Sequence, residues 1–161
     1  MRRAAPALAL VGVLLSAAAC GTARGPEPGA PAPAPGAASA DAAQAQTRAL
    51  CETLGQVYSK HLGPFAEALS ATVEGGTPAR EETAQKQAKE QLNGLADAIV
   101  EATRANPDTQ VQADGVKTAE QLRKTSADEG FFRKVKSAED VNTVVGSTMK
   151  TWMEPVARHC S

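Results

Sequence analysis

From Leu50 to the C-terminus, apolar residues recur at three- and four-residue intervals in four runs separated by turn residues. In the first run Leu50, Leu54, Val57, Leu62, Phe65 and Leu69 keep helical spacing, after Ser39 and Asp41, which can cap a helix start. Gly63-Pro64 predicts a kink or short break there, because proline removes a backbone donor and clashes with the preceding turn. Gly75-Gly76 predicts the end. The second run opens on Thr77-Pro78, a capping residue followed by proline at the first helical position, with Glu81 and Glu82 near the positive end of the dipole. It turns Ala84, Ala88, Leu92, Leu95, Ile99 and Ala102 inward as far as about Ala105, and leaves Glu82 and Lys86 on the solvent side.

Asn106-Pro107-Asp108 predicts a tight turn into a third helix, about Asp108 to Ser126, whose inward stripe is thinner: Val111, Gly115 or Val116, Ala119 and Leu122. Phe131 and Phe132 are adjacent and cannot both face inward on one helix, so Gly130-Phe131-Phe132 predicts a loop plugging one end of the core, with a solvated basic tail from Arg133 to Lys136. Ser137-Ala138-Glu139-Asp140 opens the fourth helix, with Val141, Val145, Thr148, Trp152, Val156 and Cys160 as its stripe, Trp152 as a core anchor and Pro155 bending the last turn. No alternating pattern suggests a strand. Short connections force sequential neighbours to run in opposite directions, so residues 47–161 are expected to form an all-α antiparallel bundle of about four helices.

The N-terminal pattern is of another kind. Met1-Arg2-Arg3 precedes the apolar run Ala7 to Leu15, too short for the roughly 20 residues that span a bilayer. Residues 1–19 therefore read as a signal peptide. Leu15-Ser16-Ala17-Ala18-Ala19-Cys20-Gly21 resembles the lipobox of bacterial lipoproteins, with Ala17 where Leu is usual; Ala17-Ala18-Ala19 also satisfies the small-x-small rule of ordinary secretory cleavage. The lipobox resemblance implies that Cys20 becomes the mature N-terminus and carries a diacylglyceryl thioether, with acyl chains such as palmitate. Gly21 to Gly36 is almost entirely Gly, Ala and Pro, and the segment 20–46 reads as a lipidated cysteine followed by a disordered tether. At about 3.1 Å per residue its Pro-rich part would hold the domain up to roughly 50 Å from the lipid.

Charge and cysteines narrow the partners. Of 17 basic side chains, Arg2 and Arg3 leave with residues 1–19, so 15 face 18 acidic ones and the mature net charge is about −3. That argues against nucleic acid. Lipidation of Cys20 leaves Cys51 and Cys160 outside the cytoplasm, where one disulfide between them is expected. A metal site on Cys51, Cys160 and His159 lacks the fourth ligand that structural zinc requires.

The chain carries no Gly-x-Ser-x-Gly elbow, phosphate-cradling glycine loop, His-Glu-x-x-His, calcium loop or Cys-x-x-Cys, and its carboxylates are spread among lysines and arginines as on a solvated surface. A non-enzymatic role without cofactor is the expectation. One pair stands apart: Tyr58 and His61 lie three apart on one helical face, and a phenolate with an imidazole can ligate haem iron. Together with the cysteine-bounded helical domain and the Ala105-Asn106-Pro107-Asp108 turn, this pair resembles the small mycobacterial haemophores, though the cysteine spacing here is longer. The resemblance implies a small-ligand carrier. The residues by themselves read as a ring at the core edge and a surface histidine beside a kink, and alanine-rich faces that bring helices close leave little room for a macrocycle.

The layout as a whole, with Leu50-Cys51-Glu52 near the start of the domain and His159-Cys160-Ser161 at its end, resembles actinobacterial small secreted lipoproteins of unknown function. This resemblance implies a helical fold on the outer face of the cytoplasmic membrane, with the membrane reached through the lipid anchor. The leading expectation is a tethered module that binds an envelope protein or cell-wall component through an exposed helix face or the Gly130–Ser137 loop.

Overall fold

A computed structural model describes residues 35–161. The signal peptide, the lipobox, Cys20 and the Pro-rich start of the tether lie outside the described residues. The first helical stripe lies on α1, Pro35–Val73, which begins well before residue 47 and takes in the end of the predicted tether. Residues 40–49 on it are exposed, and burial begins at Leu50.

The break expected at Gly63-Pro64 is absent, and α1 runs unbroken with Pro64 inside it. Proline removes one intrahelical hydrogen bond, but Pro64 faces solvent, and buried side chains on both sides of it, Leu54 before and Phe65, Ala68 and Leu69 after, belong to one core. Packing on either side outweighs the local defect. Gly75 ends the helix region as its type predicts, with φ +78°, a conformation that costs a residue with a Cβ.

The second stripe lies on α2, Pro78–Arg104, with Ala84, Ala88, Leu92, Leu95, Ala96 and Ile99 buried; Ala102 is half-buried, and the neighbouring Thr103 takes the inner position. Thr77 occupies the N-cap position, but its side chain makes no capping bond, and the Arg80 and Glu81 amides donate to its backbone carbonyl instead. The third helix is α3, Thr109–Ala127, capped by the Asp108 carboxylate, which accepts the Gln110 N–H at 2.8 Å. Its inner face takes Gly115, while Val116 is 45 % exposed, and the stripe looks thin in the sequence because Asp114, Thr118, Thr125 and Ser126 fill buried positions between the apolar ones.

The loop expected at Gly130 is a short helix, α4, Glu129–Lys134, started by the Asp128 carboxylate accepting the Gly130 N–H at 2.7 Å. The two aromatics divide the work: Phe132 is buried, and Phe131 stands edge-on to it at 5.0 Å, half-buried. Arg133, Lys134 and Lys136 are exposed as expected, while Val135 between them is buried.

The fourth run starts at α5, Ala138–Thr143, where the Ser137 hydroxyl accepts the Asp140 N–H and the Asp140 carboxylate accepts the Lys136 N–H. A π-turn, Val144–Thr148, then α6, Met149–Ala157, with Pro155 inside it, and a 3₁₀ turn, Arg158–Cys160, continue the rod. The expected stripe is corrected here. Val141 and Val156 are buried, but Val144, Met149 and Met153 take the places given to Val145, Thr148 and Trp152, which are all only half-buried.

The contacts close the bundle: α1 packs on α2, α2 on α3, α3 on α6, and α5 with the 3₁₀ turn returns to α1. This is an all-α antiparallel bundle with four principal rods, and its core draws on every one of them. No strand occurs among the described residues.

Candidate functional site

Alternating helix directions bring the start of the packed part of α1 and the end of the fourth rod to the same pole. There Cys51 and Cys160 form a disulfide, with α-carbons 5.6 Å apart across 109 positions of sequence. Both sulfurs are thereby committed, so neither cysteine is free to ligate a metal. Among the described residues no cluster of three His, Cys, Asp or Glu side chains is placed to hold one.

Beside the bridge lies the one buried carboxylate of the described bundle, Asp114 on α3, 4 % exposed. His159 Nε2 lies 2.9 Å from its Oδ2, Gln110 Nε2 donates to the same oxygen at 3.1 Å, and the Arg158 guanidinium donates to it as well. Burial pushes the Asp114 carboxyl up, but hydrogen bonds from His159, Gln110 and Arg158, with the Arg158 charge, outweigh that and hold it down at about 2. An Asp–His pair is the orienting half of many acid–base devices. Here the carboxylate clamps the residues preceding Cys160 onto α3, at the pole the disulfide also closes.

Because the folded pKa lies below the ordinary value of 3.8, this clamp stabilises the protein above about pH 4 and its contribution is lost as the pH falls towards 2. The shift corresponds to roughly 2 kcal/mol. Urea unfolding at pH 5 and pH 2.5 should show the native chain losing about that much more than Asp114→Asn, and equal losses would refute the clamp. In the sequence Asp114 is indistinguishable from the solvated carboxylates. Its one signal is position, three residues after Val111 and four before Thr118 on the inner stripe.

Tyr58 and His61 remain on one face of α1, where each has a structural occupation. The Tyr58 hydroxyl is buried without a hydrogen-bond partner, and desolvation pushes its pKa up to about 12, which opposes the phenolate that iron ligation needs. The His61 ring lies over Gly94 of α2, close enough that a Cβ there would meet its Cε1 at 2.8 Å, and its Nδ1 faces the Gln91 Oε1 at 3.1 Å. His61 thus sits in the α1–α2 packing, and Tyr58 packs against the core.

Clefts open elsewhere. Two, of about 240 and 250 Å³, flank Leu50 and Pro107 where α1 passes the α2–α3 turn. Another, of about 270 Å³, lies by Phe132 and Arg133 at the opposite pole. A roomier one, of about 430 Å³, lies between α3 and α6, with Lys117, Thr118 and Gln121 on one wall and Thr151, Trp152 and Pro155 on the other. Thr118 on that wall is fully buried, and its hydroxyl has no partner. The helical period presents Trp152 as a core anchor, and no local pattern marks this cleft. No protein-family model, curated protein or solved structure matches the chain.

Proposed function

We propose that the chain is a non-enzymatic lipoprotein of the bacterial cell envelope. A diacylglyceryl group on Cys20 holds it to the outer face of the cytoplasmic membrane, and the helical domain serves there as a binding module for an envelope protein or cell-wall component. The observation that carries this reading is the Cys51–Cys160 disulfide, because such bridges form and persist in oxidising compartments and are rare in the cytosol. The lipobox-like run before Cys20 supplies the address. No helix among the described residues is long and apolar enough to cross a membrane, and two acyl chains at about 0.8 kcal/mol per buried methylene would anchor a protein stably.

Expression of Cys20→Ala in a bacterial host tests the reading. Ala17-Ala18-Ala19 still suits ordinary secretory cleavage, so the variant should leave the membrane fraction for the medium and lose all incorporation of labelled palmitate. Retention in the membrane at the native level, after removal of residues 1–19, would sink the lipoprotein assignment.

A further inference from the structure

Two separate fastenings hold the 3₁₀ turn Arg158–Cys160. One is covalent, from Cys160 to Cys51 on α1. The other is the Asp114 carboxylate of α3, which accepts from the Arg158 guanidinium and lies 2.9 Å from His159 Nε2. Arg158 and His159 are the two residues immediately before Cys160, so the carboxylate fixes the turn through side chains other than the sulfur. Breaking the first fastening therefore leaves the second in place.

The two ends of the bridge differ in access. Cys160 is exposed, whereas Cys51 is half-buried and its Sγ lies 3.9 Å from the His159 carbonyl oxygen. Thiol–disulfide exchange proceeds by attack of a thiolate on one sulfur while the other leaves, so its course depends on which sulfur a nucleophile reaches. A bridge buried in a core reacts only after unfolding. This one lies at the surface of a pole that a second fastening also closes.

We propose that Cys51–Cys160 is a reversible thiol–disulfide exchange site, attacked at Cys160 by an external thiolate and held ready to reclose by Asp114 as a positioning residue. The incoming thiolate bonds to Cys160 Sγ, the Cys51–Cys160 bond breaks, and its electron pair leaves on Cys51, which takes a proton from water. A second external thiolate attacks the first one's sulfur, releasing Cys160 as a thiolate and an external disulfide. Two external thiols are thus oxidised as the bridge is reduced to two thiols. The turn is still bonded to Asp114, so Cys160 stays beside Cys51 and the effective concentration of one thiol at the other remains high. An external disulfide then recloses the bridge by the reverse steps, without refolding. The proposal goes beyond the binding-module reading and does not depend on it.

The test uses the full chain carrying Cys20→Ala, so that only Cys51 and Cys160 of the three cysteines remain. It is incubated with reduced glutathione in the absence of denaturant, quenched in acid, alkylated and mapped by mass spectrometry. Glutathione is expected on Cys160 and the alkyl group on Cys51. A parallel arm with a thioredoxin-type protein dithiol distinguishes the source of the thiolate, which is the arm with the larger second-order rate constant. Val135→Ala truncates a buried side chain at the opposite pole and lowers global stability, yet it should leave the exchange rate unchanged, because attack does not wait for unfolding. At equilibrium with glutathione, Asp114→Asn should lower the effective concentration of the two thiols about tenfold, and Val135→Ala should not move it. Arg158→Gln, at an exposed side chain, should lower it less, and it keeps the measurement decisive if Asp114→Asn fails to fold. Glutathione on Cys51 as often as on Cys160, a rate that rises with Val135→Ala, or an effective concentration unmoved by the Asp114 and Arg158 variants would overturn the proposal. Such a failure leaves the lipoprotein assignment intact, since that rests on where Cys20→Ala fractionates.

Discussion

Reduction of the Cys51–Cys160 bridge is expected to lower the free energy of unfolding by up to about 4.7 kcal/mol, the largest effect any single covalent change should have on the domain. The bridge spans 109 positions, so in the chain-entropy model its loss restores nearly the whole conformational freedom of the unfolded domain. Domains of this size are stable by roughly 5–15 kcal/mol, and a chain with one Trp, one Tyr and three Phe belongs nearer the lower figure. The melting temperature should therefore fall by roughly 15 °C in reductant. Helix content at low temperature should survive, because the packing of Leu54, Leu69, Leu92, Ile99 and Leu122 does not pass through the sulfurs, and the Asp114 clamp still holds the last turn to α3. Thermal melts followed by circular dichroism, with and without a phosphine reductant, measure this. A shift below about 3 °C would show that the unfolded chain is already constrained at this pole or that the bridge is strained.

How far the fold was legible depends on whether its determinants are local. The inner face of α2 could be read residue by residue, because Ala84, Ala88, Leu92, Leu95 and Ile99 sit in an uninterrupted 3.6-residue period bounded by Pro78 and the Asn106-Pro107 turn. The disulfide was legible because an exported chain with two remaining cysteines can make one bridge, and four alternating helices return the last cysteine to the first. The register of α6 was not legible. Val144 and Val145 are interchangeable by composition, and only the three-dimensional fit of Met149 and Met153 decides that the π-turn selects Val144.

The other departures have the same origin. Phe131 and Phe132 point to a loop if both must reach one core, yet a short helix at the bundle's edge has two neighbours, the core for Phe132 and Trp152 for Phe131. Pro64 signals a break if only its own turn is considered, and tertiary packing on either side overrides it. Asp114 looks like any surface carboxylate until partners 44 and 45 residues away surround it. The site was less legible than the fold for this reason. Tyr58 and His61 were singled out because they are close in sequence, whereas the α3–α6 cleft is assembled from Thr118 and Trp152, whose proximity no local pattern records.

Gly115→Ala should destabilise the domain by about 3 kcal/mol, the upper part of the range for overpacking a well-filled interior. Gly115 is buried at the crossing of α2 and α3, and a Cβ built on it falls 2.0 Å from Thr103 Oγ1, 2.8 Å from Thr103 Cβ and 2.9 Å from Thr103 Cγ2. Rotation of Thr103 cannot relieve all three contacts, because its Cβ is fixed to the α2 backbone. Thr103 is 1 % exposed, and its hydroxyl is tied to the Ile99 carbonyl at 2.9 Å. The helices must therefore separate locally, and close-packed Leu92, Ala96, Ala119 and Leu122 lose contact as they do. Helix propensity works the other way, favouring Ala over Gly by about 1 kcal/mol in a helix interior, so a net loss reports steric conflict alone. Thr103→Ala in the same chain should recover part of the loss by removing Oγ1 and Cγ2, leaving only the 2.8 Å Cβ contact. Urea unfolding of the single and double variants gives the coupling. If Gly115→Ala is neutral or stabilising, α2 and α3 do not approach as closely as described, and the position of Thr118 on the cleft wall one turn further along α3 would have to be revised with them.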